Sequence, residues 1–385
     1  MKYKLLSTSA LALGVAVSQP AAAQEWNLDW GGFYNQWVAF GDIDVGGALG
    51  PTATFGPGAD PEGDDLDLHT DAEIQFTPSI TLDNGMTFGV NVQFEANNTG
   101  FSEVDESFMS VYSDSFGRLD IGSENSAGYK MMVAAPIVTT AWINSPSTSS
   151  FIPFTGTGTA LAFRQAAIST YSEVLGNNDV QRITYYTPDF NGLTVGLSYA
   201  PTGAVNAANS FSVNKDAVLN DIWDIGLNYS QSFGVTDVTL SARYGEGDAP
   251  TTVPGMDDPS VWGVGFQLGY NNFTFGGSYV ENDNGAPGGA SGANVGDQEG
   301  FSLGATYDAA GPWAFEAVTY IGQADDWSVA GQDLDREAYR IGASRDIGPG
   351  VSWDIYVIYE ERDDDATPGT DVEGTLLGTN INLSF

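Results

Sequence analysis

Cysteine is absent from this chain of 385 residues, histidine occurs once, and 12 lysine and arginine residues stand against 50 aspartate and glutamate. Without cysteine there is neither a disulfide framework nor a thiolate metal site. A net charge of −38 repels a phosphate backbone and excludes nucleic acid as a partner. No EF-hand spacing is present, and Gly288-Gly289-Ala290-Ser291-Gly292 lacks the Lys-Ser/Thr of a phosphate loop. The most informative lack is hydrophobic: beyond the first residues no stretch offers the roughly 18 apolar residues that a membrane-spanning helix needs. If the mature chain sits in a membrane, it must do so as a closed barrel, the other fold that satisfies every backbone polar group internally.

What is present begins with an export signal. Lys2 and Lys4 precede the apolar run Leu11 to Val17, and Ala21-Ala22-Ala23 places small residues before Gln24. This predicts a signal peptide over 1–23 and a mature chain of one domain over 24–385, more acidic still once the two leader lysines are lost.

The rest of the chain carries a period of two. From Leu66 to Leu82 the even positions are mostly apolar (Leu66, Leu68, Ala72, Ile74, Phe76, Ile80), while Asp67, His69, Asp71, Glu73 and Gln75 stand between them. After Asp83-Asn84-Gly85, a hairpin-type turn, Phe88, Val90, Val92 and Phe94 alternate with Gly89, Asn91, Gln93 and Glu95. Two adjacent alternating segments predict two antiparallel strands. Sixteen such segments follow along the chain, near 28–43, 66–82, 86–97, 104–115, 117–124, 180–190, 192–200, 221–233, 235–246, 260–271, 272–281, 299–308, 312–323, 335–346, 351–362 and 373–385.

Their connections alternate in length. Asp83–Gly85, Asn191-Gly192, Asn271-Asn272 and Gly348–Gly350 are tight, whereas 125–179 is the longest of the others. An all-β, 16-stranded antiparallel transmembrane barrel has this asymmetry, with short periplasmic turns and long external loops. Trp223, Trp262, Tyr244, Tyr279 and Tyr359 lie toward the looped end and Tyr270, Phe273, Tyr307, Trp313 and Trp353 toward the turn end, as two girdles. Trp262 and Tyr270 would stand about 21 Å apart along the bilayer normal at ~3.4 Å per residue and a ~40° tilt.

A soluble sandwich would also alternate, but its outer face would not gather the charges found here. Asp67, His69, Asp71, Glu73, Glu95, Arg118, Arg182, Asp224, Arg243, Arg336, Arg340 and Asp354 share the hydrophilic parity of their strands, as expected of a wet lumen. Asp67, His69, Asp71, Glu73, Glu95, Arg118, Arg182, Arg243 and Arg340 are the expected pore-lining residues.

The segment Arg182-Ile183-Thr184-Tyr185-Tyr186-Thr187-Pro188-Asp189-Phe190-Asn191-Gly192-Leu193, running to Ser198-Tyr199, resembles the strand-turn-strand of the general trimeric porins of Gram-negative outer membranes. Phe116-Gly117-Arg118-Leu119-Asp120-Ile121-Gly122 is similar to that family's hairpin before its constriction loop, and the alternating end Ile381, Leu383, Phe385 resembles its C-terminal assembly signal. The resemblance spans the mature chain. It implies a bacterial outer-membrane channel for small hydrophilic solutes and ions, a homotrimer, a third loop over 125–179 folded inward, and recognition of Phe385 by the barrel-assembly machinery. It also implies contact with outer-membrane lipid and lipopolysaccharide. One departure is evident. Before Asp179 this loop holds only Glu173 as an acid, with Lys130 and Arg164 as constriction-loop bases, where the family's loop is acidic and faces arginines.

Three other functions compete. An outer-membrane hydrolase needs a nucleophile with a general base, and the sole histidine, His69, lies between Asp67 and Asp71 on the lumen parity; a channel that is not an enzyme is the expectation. A substrate-specific porin, or a plugged barrel used as an adhesin or structural protein, would share the fold; sixteen strands favour an aqueous channel. No cofactor is expected. Clustered loop acids such as Asp64-Asp65 and Asp363-Asp364-Asp365 are read first as solvated charge and second as weak calcium ligands, since hard cations take carboxylate oxygens.

Overall fold

Alternation of this kind cannot close on itself unless each strand finds two partners, and in the computed structural model each does. The structure describes residues 25–45, 66–96, 104–145, 152, 164–203, 214–285, 296–325, 333–365 and 371–385. The expected leader and the acids Asp64 and Asp65 lie outside these residues.

The strands are β1 (Trp30–Val45), β2 (Leu66–Phe76), β3 (Ser79–Thr81), β4 (Thr87–Glu95), β5 (Val104–Ser113), β6 (Gly117–Glu124), β7 (Val180–Tyr186), β8 (Leu193–Thr202), β9 (Asn220–Phe233), β10 (Thr236–Asp248), β11 (Ser260–Tyr270), β12 (Phe273–Asp283), β13 (Gln298–Asp308), β14 (Trp313–Ala324), β15 (Leu334–Gly348), β16 (Val351–Asp364) and β17 (Val372–Ser384). β2 and β3 are halves of one strand, both paired with β4, so these seventeen pieces form the expected sixteen staves. The break falls at Pro78, which has no N–H to give the ladder; its carbonyl still accepts from Val90 N at 3.0 Å. Every pairing is antiparallel, and the barrel closes where β1 meets β17, from Phe33↔Ser384 to Val45↔Val372. The last residue completes the seam: Phe385 exchanges backbone hydrogen bonds with Gly32 at 3.0 and 3.1 Å.

Turn chemistry decides which end is short. Asn191 and Gly192 both take positive φ, 55° and 90°, the geometry whose twist matches that of flanking strands in a two-residue hairpin. The outer face is apolar in the extreme, with Leu68 62% and Ile341 71% exposed, a surface that only lipid or another protein would cover. Trp223, Tyr244 and Trp262 at the looped end and Tyr270, Phe273 and Tyr307 at the turn end are exposed on that face, forming the two girdles. Among the described residues no helix is long and apolar enough to cross a membrane.

Candidate channel lumen and constriction

The lumen is divided by the segment between β6 and β7, which turns inward at a short helix, α1 (Ala127–Met131). Ser126 caps it, its hydroxyl accepting from Tyr129 N at 3.2 Å. From there the loop lies along the inner wall, and its backbone is held by wall side chains. Ala127 N donates to Ser198 of β8 (2.7 Å), Gly128 N to Asp224 of β9 (2.7 Å), Val133 N to Ser241 of β10 (3.0 Å) and Ala135 N to Ser302 of β13 (3.1 Å). Val138 N and Thr139 N donate to Glu316 of β14 at 2.5 and 3.1 Å, and Thr140 N to Asp354 of β16 at 3.0 Å. The return limb does the same: Ala166 N donates to Asn282 of β12 (3.0 Å) and Ala167 N to Gln298 of β13 (2.8 Å). Irregular backbone can be buried inside a barrel only when such partners are supplied.

Close approach explains glycine on this wall. A Cβ at Gly265 would collide with the carbonyl oxygen of Val133, and one at Gly322 with that of Ala167.

The lumen-parity arginines lie beneath this loop. Arg243 pairs with Asp224, stands 3.7 Å from Glu173 and donates to the carbonyl of Ser172. Arg340 pairs with Glu316 at 2.6 Å and donates to the carbonyl of Ala141. Arg336 pairs with Glu360 at 2.9 Å and donates to the carbonyl of Ile168 at 3.2 Å. Arg182 is buried and donates to the carbonyl of Asn177 at 3.1 Å. All four point inward, but loop backbone covers them. Each guanidinium carries several donors in a fixed fork, so one side chain serves a wall carboxylate and a loop carbonyl together.

The covered sector runs from β7 around to β17 and β1, where Thr140 Oγ1 accepts from Trp37 Nε1 at 3.2 Å. Apolar contacts seal it through Ile143, Ile152, Val318, Tyr320, Tyr356, Ile358 and Leu376. Among the described residues, the sector that the loop covers least is β2 to β5. There His69, Asp71, Gln75, Asn91, Gln93, Glu95 and Asp105 are half-buried, Asp67 is exposed at the looped end and Glu73 is buried between its neighbours. His69 stacks on Trp37 with ring centroids 5.1 Å apart. Arg118, on β6, is half-buried, pairs with Asp120 at 2.8 Å and lies over the Phe108 ring.

Carboxylate oxygens of Glu73, Glu95 and Asp105 all lie within 4.8 Å of one another. Asp105 arrives there through a bulge. Val92 pairs with Ser107 but Phe94 with Val104, so β5 has one residue more than β4 over this stretch. The extra residue breaks the alternation and lets Asp105 and Glu106 both reach the interior. Glu106 accepts from Gln93 Nε2 at 3.0 Å and from Asn125 N at 3.0 Å.

The loop meets this wall with its two bases. Lys130 pairs with Glu124 at 2.7 Å and stands 3.8 Å from Glu106, and its ammonium lies over the Phe108 ring. Arg164, at φ 62°, lies 4.5 Å from the centroid of Tyr129 and acts electrostatically on Asp179. Burial, then the neighbouring charges of Asp105 and Glu106, push the Asp179 carboxyl up to about 8.

Asp363 and Asp365 are exposed at the looped end, and nothing is described of the Asp364 side chain. Asp335 faces Asp363, Glu337 faces Glu361 and Glu361 faces Glu373 across adjacent strands, so this external rim is a ladder of like charges.

Asp105 and Glu106, which sit in a bulge, escape a reading by parity. Glu316 shows the right parity in its strand, but nothing local tells that it takes loop N–H groups.

The profile of the Gram-negative porin family matches residues 7–367. The chain belongs to that family. Among solved structures this porin is similar to OmpT of Vibrio cholerae in its trimer form, with 13% identity and a TM-score of 0.58 over 94% of this chain and 99% of that one. A mutant porin of Rhodopseudomonas blastica is similar at 15% identity and a TM-score of 0.52, over 93% of this chain and all of that one. At these identities the likeness speaks for the fold. A search of curated protein sequences finds no match. The porin is thus an outer-membrane protein that crosses with its strands.

Proposed function

We propose that this porin passes small hydrophilic solutes and ions by passive diffusion, prefers cations, and is not an enzyme. One observation carries the preference: the third loop covers the arginines of β7 to β16, while on the other wall Glu95 and Asp105 stay half-exposed with Glu73 buried beside them. Uncovered carboxylates concentrate cations in a narrow passage, whereas an arginine neutralised and buried contributes little field there. Where the loop meets this wall, Lys130 is neutralised by Glu124 and Glu106 and takes little from the acidic field. In liposomes the protein should admit small sugars and amino acids without energy input, and in a planar bilayer its reversal potential in a KCl gradient should have the sign of cation selectivity. A sealed barrel, or saturable flux of one solute at low concentration, would overturn the diffusive reading.

The assembly we propose is a homotrimer, which buries part of the apolar outer wall by closed symmetry; the trimer form of the Vibrio cholerae protein supports it. On unheated SDS gels it should run as a large species that collapses on boiling. The aromatic girdles support contact with outer-membrane lipid and lipopolysaccharide, and the exposed Phe385 at the seam supports its reading by the assembly machinery. Calcium at Asp363, Asp364 and Asp365 would relieve the external carboxylate ladder, and chelation should then lower thermal stability.

A further inference from the structure

The outer wall is charged unequally at its two ends. Toward the loops, Glu246, Glu281, Glu299, Glu337, Glu361 and Glu373 share the parity of the exposed apolar residues, and each accepts a hydrogen bond from a tyrosine hydroxyl on that face. Toward the turns, among the described residues, the strands place one charged side chain on this face, and it is a base. Arg345 of β15 is exposed and follows Tyr339 and Ile341 on their parity, whereas Asp346, next in sequence, takes the other.

Strand register sets this arginine in a row of tryptophans. Trp313 on β14 and Trp353 on β16 stand directly opposite Arg345, one on each side. The guanidinium carbon lies 5.6 Å from the centroid of the Trp313 ring, and the rings of Trp313 and Trp353 are 5.6 Å apart. Both indoles are held in place: Trp353 Nε1 donates to Thr379 Oγ1 at 2.7 Å, and the Trp313 ring stacks on that of Phe315. The charge is also unpaired. In a chain of net charge −38, Arg345 makes no ion pair among the described residues, although Arg118, Lys130, Lys215, Arg243, Arg336 and Arg340 each take a carboxylate.

An exposed guanidinium with free donors, set between indoles at a membrane interface, matches an anion carried by lipid. Tryptophan settles at headgroup level. Arginine's planar fork binds a phosphate through two parallel hydrogen bonds, whereas a lysine ammonium acts as a point charge. We infer that Arg345, Trp313 and Trp353 form a headgroup site for an anionic phospholipid in the leaflet at the short-turn, periplasmic end, with the fork on its phosphodiester and the indoles against its glycerol and first acyl carbons. The carboxylates at the looped end repel the same headgroup, so the site belongs to one leaflet. It presupposes the lipid contact proposed above for the girdles and names the headgroup chemistry that this contact selects.

The test places the purified, folded porin in mixed micelles of a neutral detergent with phosphatidylglycerol, or with phosphatidylcholine as the zwitterionic arm, and reads lipid retained per subunit by native mass spectrometry. The proteins are the wild type, Arg345→Gln, Arg345→Lys, Trp313→Leu and Lys215→Gln, the last removing the same charge at the looped end. Unheated gels check that each variant is folded. The expected result is one phosphatidylglycerol held by the wild type, with affinity about fivefold lower in Arg345→Gln, the effect of one base at a membrane surface. Arg345→Lys and Trp313→Leu should each lose part of that affinity, and Lys215→Gln none. Equal binding by the wild type and Arg345→Gln, or an equal loss in Lys215→Gln, would overturn the site, and full retention in Arg345→Lys would overturn recognition by the fork. Inorganic phosphate bound without lipid, with the same dependence on Arg345, would overturn the lipid assignment. Both lipids retained alike by every protein would remove the site and leave lipid contact standing; no lipid retained by the wild type would remove the contact itself.

Discussion

The two halves of the inner wall obey the same alternation and meet opposite fates. From β7 to β16 the inward charges are arginines and acids consumed in holding a loop: Arg243 with Asp224, Arg340 with Glu316 and Arg336 with Glu360, all buried. From β2 to β5 the inward charges are mostly carboxylates that meet one another, with Asp71, Glu95 and Asp105 half-exposed and Glu73 and Glu106 buried. Facing the lumen is therefore not the same as lining the channel. A polar side chain inside a barrel either solvates the passage or substitutes for water on a loop backbone, and the loop decides which.

The sharpest way to break this contrast is to remove a base beneath the loop. Arg340→Ala leaves Glu316 buried without its counter-ion, a loss of about 3–5 kcal/mol for such a pair. Thermal unfolding should fall markedly, and single-channel conductance should rise as the limb near Ala141 loosens. An unchanged melting temperature would mean that the covered pairs do not hold the loop.

The same kind of change on the uncovered wall should do little to stability. Glu95→Gln removes one of several like charges, and its effect should stay within about 0.5 kcal/mol, as for surface substitutions away from special features. A large destabilisation there would erase the distinction between the halves.

The halves also separate by pH. Asp179 sits where loop meets acidic wall, faced by Asp105, Glu106, Arg164, Asn125 and Asn178, and its carboxyl is raised to about 8. A carboxyl raised on folding contributes stability that is fully present below the ordinary carboxylate value and lost as pH rises through the raised one. Thermal stability should therefore decline from pH 5 to pH 9, and Asp179→Asn should flatten part of that decline. An identical slope in the variant would remove Asp179 from the account.

Another small change lies on the external rim, where Glu361 faces Glu337 on one side and Glu373 on the other. With chelator present, Glu361→Gln should raise stability by about 0.2–1 kcal/mol through relief of cross-strand repulsion. No gain would mean that these acids are already neutralised by their surroundings.

Much of this fold was legible because period-two patterning and turn residues are local. The sixteen staves, the tight turns at Asn191-Gly192 and the parity of Glu73, Arg243 and Arg340 all follow from neighbours in sequence. The cut at Pro78 falls inside the segment 66–82, which alternation alone reads as unbroken. The course of the third loop was not legible, because its partners are scattered over Ser198, Asp224, Ser241, Ser302, Glu316 and Asp354, single residues on different strands. Nor was the convergence of Asp105 with Glu73 and Glu95, since a bulge depends on how two strands pair and leaves no periodic mark in either. Burial of the arginines followed from the loop, not from their own strands.

The most direct test is the reversal potential in a KCl gradient at low salt with chelator, where the Debye length is about 30 Å at 0.01 M. It compares the wild type with the triple variant Glu73→Gln/Glu95→Gln/Asp105→Asn. The account predicts a cation-selective wild type and a variant shifted strongly toward no selectivity. An anion-selective wild type, or a cation preference untouched by the three substitutions, would contradict it.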